Sequence, residues 1–218
     1  MPTTQPSPLP RIVVFVDYWN FQLTLNQLEA SAQGLSDYRF KVDWAKLGPW
    51  LAKRAFDLLQ PQPAAFSFDG VHIYASHNPQ TVEGRKFKNW ALSWLDRQPG
   101  IRVACRERKP KALPKCPSCF KVIEYCPQTT CGKRIVATIE KGVDTLIATD
   151  MIRLAWEQAY DVAVLATSDS DLVPAVEFII SKGVKVVQAG FPPLGVDLAT
   201  ACFASFDVFA RRAEIARP

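Results

Sequence analysis

The chain has 218 residues, 48% of them hydrophobic, and a formal net charge of +5. That is enough apolar material to bury one sizeable core, which excludes a disordered protein and points to one large domain with a small insertion. No apolar run approaches the roughly 18 residues that cross a bilayer, and the opening MPTTQPSPLP lacks the basic start and apolar centre of a signal peptide, so a cytoplasmic protein with no membrane partner is expected.

In chain order, the Pro-rich residues 1–10 read as a flexible tail and residues 11–218 as the folded domain. A strand, IVVFV at 12–16, runs straight into Asp17, with Tyr18, Trp19 and Asn20 behind it on a helix over 18–31. A second helix is predicted over 43–58, and QPQPAAFSFDG, 60–70, reads as a surface connection. The strand VHIYA, 71–75, carries His72, and His77 falls in the loop after it. A helix over 82–97 bears Lys86, Lys88, Trp90 and Trp94; the two tryptophans, four apart, read as an apolar face. The strand RVACR, 102–106, leads into the basic run RERKPKALPK, which contains Arg106 and Arg108. After a cysteine-rich stretch come a helix over 143–159, a strand over 162–167, a helix over 171–182 that tolerates Pro174 in its first turn and is closed by Gly183, and a strand over 184–189. The remainder reads as a loop, a short helix and a closing segment of unassigned form.

Short β-branched runs alternating with helical segments define an α/β chain with a central parallel sheet flanked by helices. No G-x-G-x-x-G follows the first strand and no Walker-type phosphate loop occurs, which argues against a nucleotide-binding or redox enzyme. His72 and His77 are the two histidines, too few for histidine-based acid–base work; His72 reads as structural, and His77 as a residue at the functional end of the sheet. Tyr18 and Trp19 could pack in the core or stack on unpaired bases.

Cys116, Cys119, Cys126 and Cys131 stand in CPSCFKVIEYCPQTTC, a C-x2-C followed by a looser C-x4-C. Four thiols in so short a stretch suit tetrahedral Zn²⁺ in a closed structural site, so residues 105–133 are predicted to form a zinc-stapled insertion. Basic residues at its entrance leave open a role as an RNA-gripping flap. Cys105 and Cys202, flanked by apolar residues, read as buried structural thiols.

Asp17 either caps its helix or begins an acidic site at the strand's carboxyl end, where open α/β sheets keep their chemistry. Asp169 ends its strand in the same way, within Thr167, Ser168, Asp169, Ser170 and Asp171, where Asp171 is also a natural helix cap. Asp144 begins the helix over 143–159, and Asp150 falls on the apolar stripe of Val143, Leu146, Ile147 and Leu154. The two lie about 9 Å apart along the axis, too far to share one ion readily. Lys141 stands just before that helix. Carboxylates gathered from three segments raise each other's pKa or require a cation, and oxygen-only ligands point to Mg²⁺ or Mn²⁺.

Together FVDYWNF, EKGVDTLIATDM and TSDSDLVPAVEFIISKGVKV resemble the three signature blocks of the NYN-domain family, a branch of the PIN-like nucleases, over about Arg11 to Gly190. The resemblance implies a Rossmann-like α/β sandwich and a metal-dependent ribonuclease. It implies metal ligation by Asp17, Asp144 and Asp169, with Asp150 or Asp171 as supporting acid and Asn20 as polar partner of Asp17. The four-cysteine stretch is similar to the zinc-knuckle insertion of some bacterial members. Lys86, Lys88, Arg106, Arg108, Lys141 and Ser168 are the expected contacts to RNA. A non-catalytic RNA- or protein-binding module that keeps the acidic pocket is the alternative, and a homodimer or a partner protein stays open.

Overall fold

The computed structural model describes residues 9–59, 65–128, 131–135 and 137–218. Most of the predicted flexible tail and part of the 60–70 connection lie outside the described residues. Pro10 is tied down, its carbonyl accepting from the Ser67 amide.

The elements follow as β1 (Arg11–Asp17), α1 (Tyr18–Gln33), α2 (Trp44–Leu59), β2 (Ser67–His77), α3 (Val82–Ser93), β3 (Ile101–Glu107), β4 (Lys109–Pro110), β5 (Thr138–Ile139), α4 (Val143–Trp156), β6 (Val162–Ala166), α5 (Val173–Ser181), β7 (Lys185–Gly190), α6 (Val196–Ala201) and β8 (Ala204–Asp207). Single-turn or irregular 3-10 segments cover Leu95–Arg97, Ser170–Leu172 and Phe209–Ile215. Six strands form one parallel sheet in the order β3-β2-β1-β6-β7-β8, and β4 and β5 form a separate antiparallel pair.

β1 is apolar from Ile12 to Val16 because both faces of the sheet are covered. Ile12, Val14 and Val16 pack with α1 and α2, whereas Val13 and Phe15 pack with α4 and α5. Period-two alternation sends successive side chains into the two cores.

Several bounds differ from expectation for local reasons. β2 begins at Ser67 because Arg11 pairs with Ser67, extending the strand into the predicted connection. The helix over 82–97 ends at Ser93 and a 3-10 turn completes it; the helix over 171–182 likewise opens with a 3-10 turn. β3 keeps Cys105 to Glu107, so the insertion leaves the sheet at Arg108, and β5 brings it back only at Glu140.

Candidate functional site

β1 lies between β2 and β6, and the chain runs outward from it in both directions, so the crevice beyond the carboxyl ends of β1 and β6 is the topological switch point of the sheet. Asp17, the last residue of β1, and Asp169, three residues past β6, flank that crevice. α4 enters it from Gly142, whose φ of +78° turns the chain so that Asp144 sits in the first helical turn.

Carboxylate oxygens of Asp17, Asp144 and Asp169 all lie within 4.8 Å of one another. Asp17 is buried, at 4% exposure. Both readings of Asp17 and Asp169 hold at once. Asp17 Oδ1 accepts the Asn20 amide at 3.1 Å, and Asp169 Oδ1 accepts the Asp171 amide at 2.9 Å. Each cap uses one oxygen and leaves the second without a donor among the described residues.

Burial pushes the Asp17 carboxyl up to about 7; Glu140, Asp144 and Asp169 add to this, and the Asn20 amide bond opposes it. Asp144 is raised by burial and then by Asp169, Glu140 and Asp171. Three carboxylates held in one half-buried crevice are costly unless a cation neutralises them. A hard divalent ion suits such an oxygen-only donor set.

Asn20 is a brace. Its amide binds Asp17, and its Oδ1 accepts the Ser168 amide at 2.8 Å, fastening the start of α1 to the loop after β6. The Ser168 hydroxyl is buried, with no hydrogen-bond partner among the described residues. Asp171 stays beside the triad as a neighbour of Asp144 and contributes its backbone amide to Asp169.

Asp150 is not brought to the triad. α4 buries Val143, Ile147, Met151 and Ala155, which leaves Asp150 at the margin of the stripe. There it accepts from Tyr74 Oη at 3.0 Å and pairs with Arg153 at 3.4 Å, at a different cleft shared with His72 and Arg102.

A cleft of about 470 Å³ opens over the triad, with Trp19, Asn20, Leu23, Thr24, Gln27, Arg108 and Glu140 in its walls. Glu140 was not anticipated from sequence: it precedes α4 in an extended stretch with no periodicity to mark it. Its nearness in chain to Asp144, across the glycine that turns into α4, was the available signal. Ser76 donates to Glu140, and Arg108 Nε donates to Ser76 Oγ at 2.9 Å. The Arg108 guanidinium also lies 5.4 Å from the Trp19 ring centre, and Trp19 Nε1 donates to the Ser76 carbonyl at 2.6 Å.

Of the other expected RNA contacts, Lys88 pairs with Glu107 on α3's side of the sheet, and Lys86, Arg106 and Lys141 are exposed outside the lining of the cleft. His77 is the buried end of β2 rather than a loop residue, 3.5 Å from Cys105 Sγ and 3.6 Å from Glu107. His72 stacks on Phe15 and Tyr74. Tyr18 is core, stacked on Trp44, whereas its neighbour Trp19 reaches the cleft. Trp90 packs on the core and Trp94 stacks outside it.

The insertion is two successive turns, each presenting a cysteine pair. Lys115 bridges Val122 around Cys116 and Cys119, and Tyr125 bridges Arg134 around Cys126 and Cys131. Hydrogen bonds from the Cys119 and Ser118 amides and from the Cys119 thiol hold the Cys116 thiol below its ordinary range. No three of the four sulfurs lie within 4.8 Å of one another. Cys105 and Cys202 are half-buried rather than fully buried, and desolvation raises their thiols to about 11 and about 12.

Residues 11–207 match the NYN domain, and the chain belongs to that family, whose members are generally nuclease-like, metal-dependent and active on RNA. It also resembles the crystal structure of a protein of unknown function from Vibrio parahaemolyticus, at 19% identity and a TM-score of 0.53, over 94% of this chain and 96% of that one. That likeness concerns the fold. Among curated proteins none matches. No helix among the described residues is long and apolar enough to cross a membrane.

Proposed function

We propose that the protein is an endoribonuclease whose Mg²⁺ or Mn²⁺ is held by Asp17, Asp144 and Asp169. The observation that carries this reading is the convergence of three carboxylates from separate segments within 4.8 Å at the sheet's switch point. A divalent ion there lowers the pKa of a bound water and neutralises charge developing on a phosphodiester. The chain's own residues supply the rest. The cap bonds of Asp17 and Asp169 fix the direction of their carboxylates, and Asn20 holds the two ligand-bearing segments in register. Arg108, oriented by Ser76 and Trp19, offers a guanidinium at the rim for a phosphate. Trp19 offers an aromatic wall.

The test is cleavage of labelled single-stranded and structured RNA by purified protein with Mn²⁺, Mg²⁺ or EDTA, beside Asp17→Asn. Metal-dependent cutting that disappears in the variant supports the reading. No cutting by folded, metal-loaded protein overturns it in favour of a binding module.

The four cysteines are proposed to hold one Zn²⁺ that draws the two turns together, a structural role supported by the donor set and the paired arrangement. Metal analysis of protein purified without chelator should give one zinc per chain, lost in Cys116→Ser/Cys119→Ser.

A further inference from the structure

The two turns of the insertion contain an internal comparison. The residue after the second cysteine adopts the left-handed conformation in both: Gly132 with φ +54°, and Phe120 with φ +58°. Glycine takes that conformation without steric cost, whereas a residue with an aromatic side chain is strained by it. One other described non-glycine residue has positive φ, Gln158, and it closes α4, with its own amide and that of Ala159 bonded back into the helix. Phe120 has no such excuse in packing. It is 73% exposed and joins none of the ring–ring contacts among the described residues.

Charge says what covers it. From Arg108 to Lys141 the sequence carries eight basic and two acidic residues, a net of +6 against +5 for the whole chain. The remainder of the protein is therefore slightly negative, and the acidic cleft would by itself repel a polyanion. Lys115 and Lys121 flank Phe120 on its own turn, and Tyr125, 57% exposed, adds a second ring beside Lys133 and Arg134. The stem of the insertion, β4 with β5, begins after Arg108 and ends before Glu140, and both of these line the cleft. The basic, aromatic surface is thus joined to the rim of the acidic site.

We propose that the insertion is the substrate grip of the enzyme: Phe120 stacks on an unpaired base of a single-stranded RNA while Lys115 and Lys121 contact its phosphates, so that the strand is led over the stem to the cleft. Aromatic rings set among cations match single strands, whose bases are free to stack, better than duplexes, whose bases are not. The inference rests on RNA being the substrate and adds where and in what form it is held.

The experiment is equilibrium binding of fluorescent single-stranded and duplex RNA 12-mers in Ca²⁺ to Phe120→Gly, Phe120→Asn, Phe120→Trp and wild type, all with their bound zinc, with thermal melting of each. Gly and Asn both tolerate the left-handed backbone, so neither variant should melt below wild type. Both should lose about tenfold in affinity for the single strand, a loss of the size expected for one aromatic–base stack, with little change for duplex. Phe120→Trp should bind at least as tightly as wild type. Unchanged single-strand affinity in Phe120→Gly and Phe120→Asn, with cleavage intact, overturns the grip and leaves the nuclease reading standing. A wild type that binds no RNA overturns both. Lowered melting in both ringless variants, with RNA affinity unchanged, would make Phe120 a structural or protein-contacting residue instead.

Discussion

A single carboxylate at position 17 serves both local structure and the candidate chemistry, because capping α1 occupies only its Oδ1. Asparagine preserves that acceptor, so Asp17→Asn should keep the helix while weakening the metal site. Cleavage is expected to fall at least about a hundredfold. Metal-free Asp17→Asn should melt at or above the wild type in the absence of added cation, since it removes a buried charge crowded by Asp144 and Asp169. A lower melting temperature would mean that the Asp17 carboxylate is not a net cost to the metal-free fold. Asn20 acts through its neighbours: Asn20→Ala orphans the Ser168 amide, a loss of about 1 kcal/mol, and should lower kcat more than it raises KM. Steady-state cleavage kinetics with the melting curve separate this from a purely structural effect. Asp17 and Asp169 were legible because each follows an apolar run, Asp17 as the last residue of β1 and Asp169 three residues past β6. Asp150 was misplaced because the helical stripe was phased through it; the buried series 143, 147, 151, 155 passes beside it.

Elements with strong periodicity were legible and edge elements were not. The short helix expected after Gly190 is α6, whereas β8 was not legible because it is four residues at the sheet's edge, paired on one side, with no alternation to read. α3 was legible, but not its dependence on Gly84. A Cβ there would fall 2.0 Å from the Asn78 carbonyl oxygen, so α3 is pressed against the loop after β2. Phe87 of the same helix carries Tyr18 and Trp19, with ring centres at 4.8 and 4.9 Å. Gly84→Ala should therefore destabilise by about 1–3 kcal/mol and disturb the Trp19 wall, read by urea denaturation and by KM for RNA. The closing 3-10 segment is held differently. Glu214 accepts from Trp50, Arg54 and Arg211, and these bonds hold its carboxyl down at about 2. A depressed acid stabilises the fold above its unfolded value, 4.5, and loses that contribution as pH falls toward about 2. The stability gap between wild type and Glu214→Gln should be present at pH 6 and close over that window in urea titrations.

At the scale of the molecule, the candidate site is assembled from residues 17, 144 and 169, and the elements that bring them together belong to one sheet and its two faces. The sequence could announce each carboxylate but not their mutual distance, which depends on β6 returning beside β1 after β2 and β3 have been laid down on the far side. One consequence distinguishes a metal centre from a chance acidic cluster. An ion that binds only when β1, α4 and β6 are docked binds the folded chain and not the unfolded one, so it must stabilise the whole domain. At a hundred times its dissociation constant that amounts to about 2.7 kcal/mol, several degrees in melting temperature for a chain of this size. Melting followed against Mn²⁺ or Mg²⁺ concentration should rise continuously in wild type, with Zn²⁺ held constant throughout. It should be flat in Asp17→Asn, Asp144→Asn and Asp169→Asn alike, and should persist in Asp150→Asn, whose carboxylate belongs to Tyr74 and Arg153. A rise that survived loss of any triad carboxylate would place the cation elsewhere and dissolve the link between the switch point and catalysis.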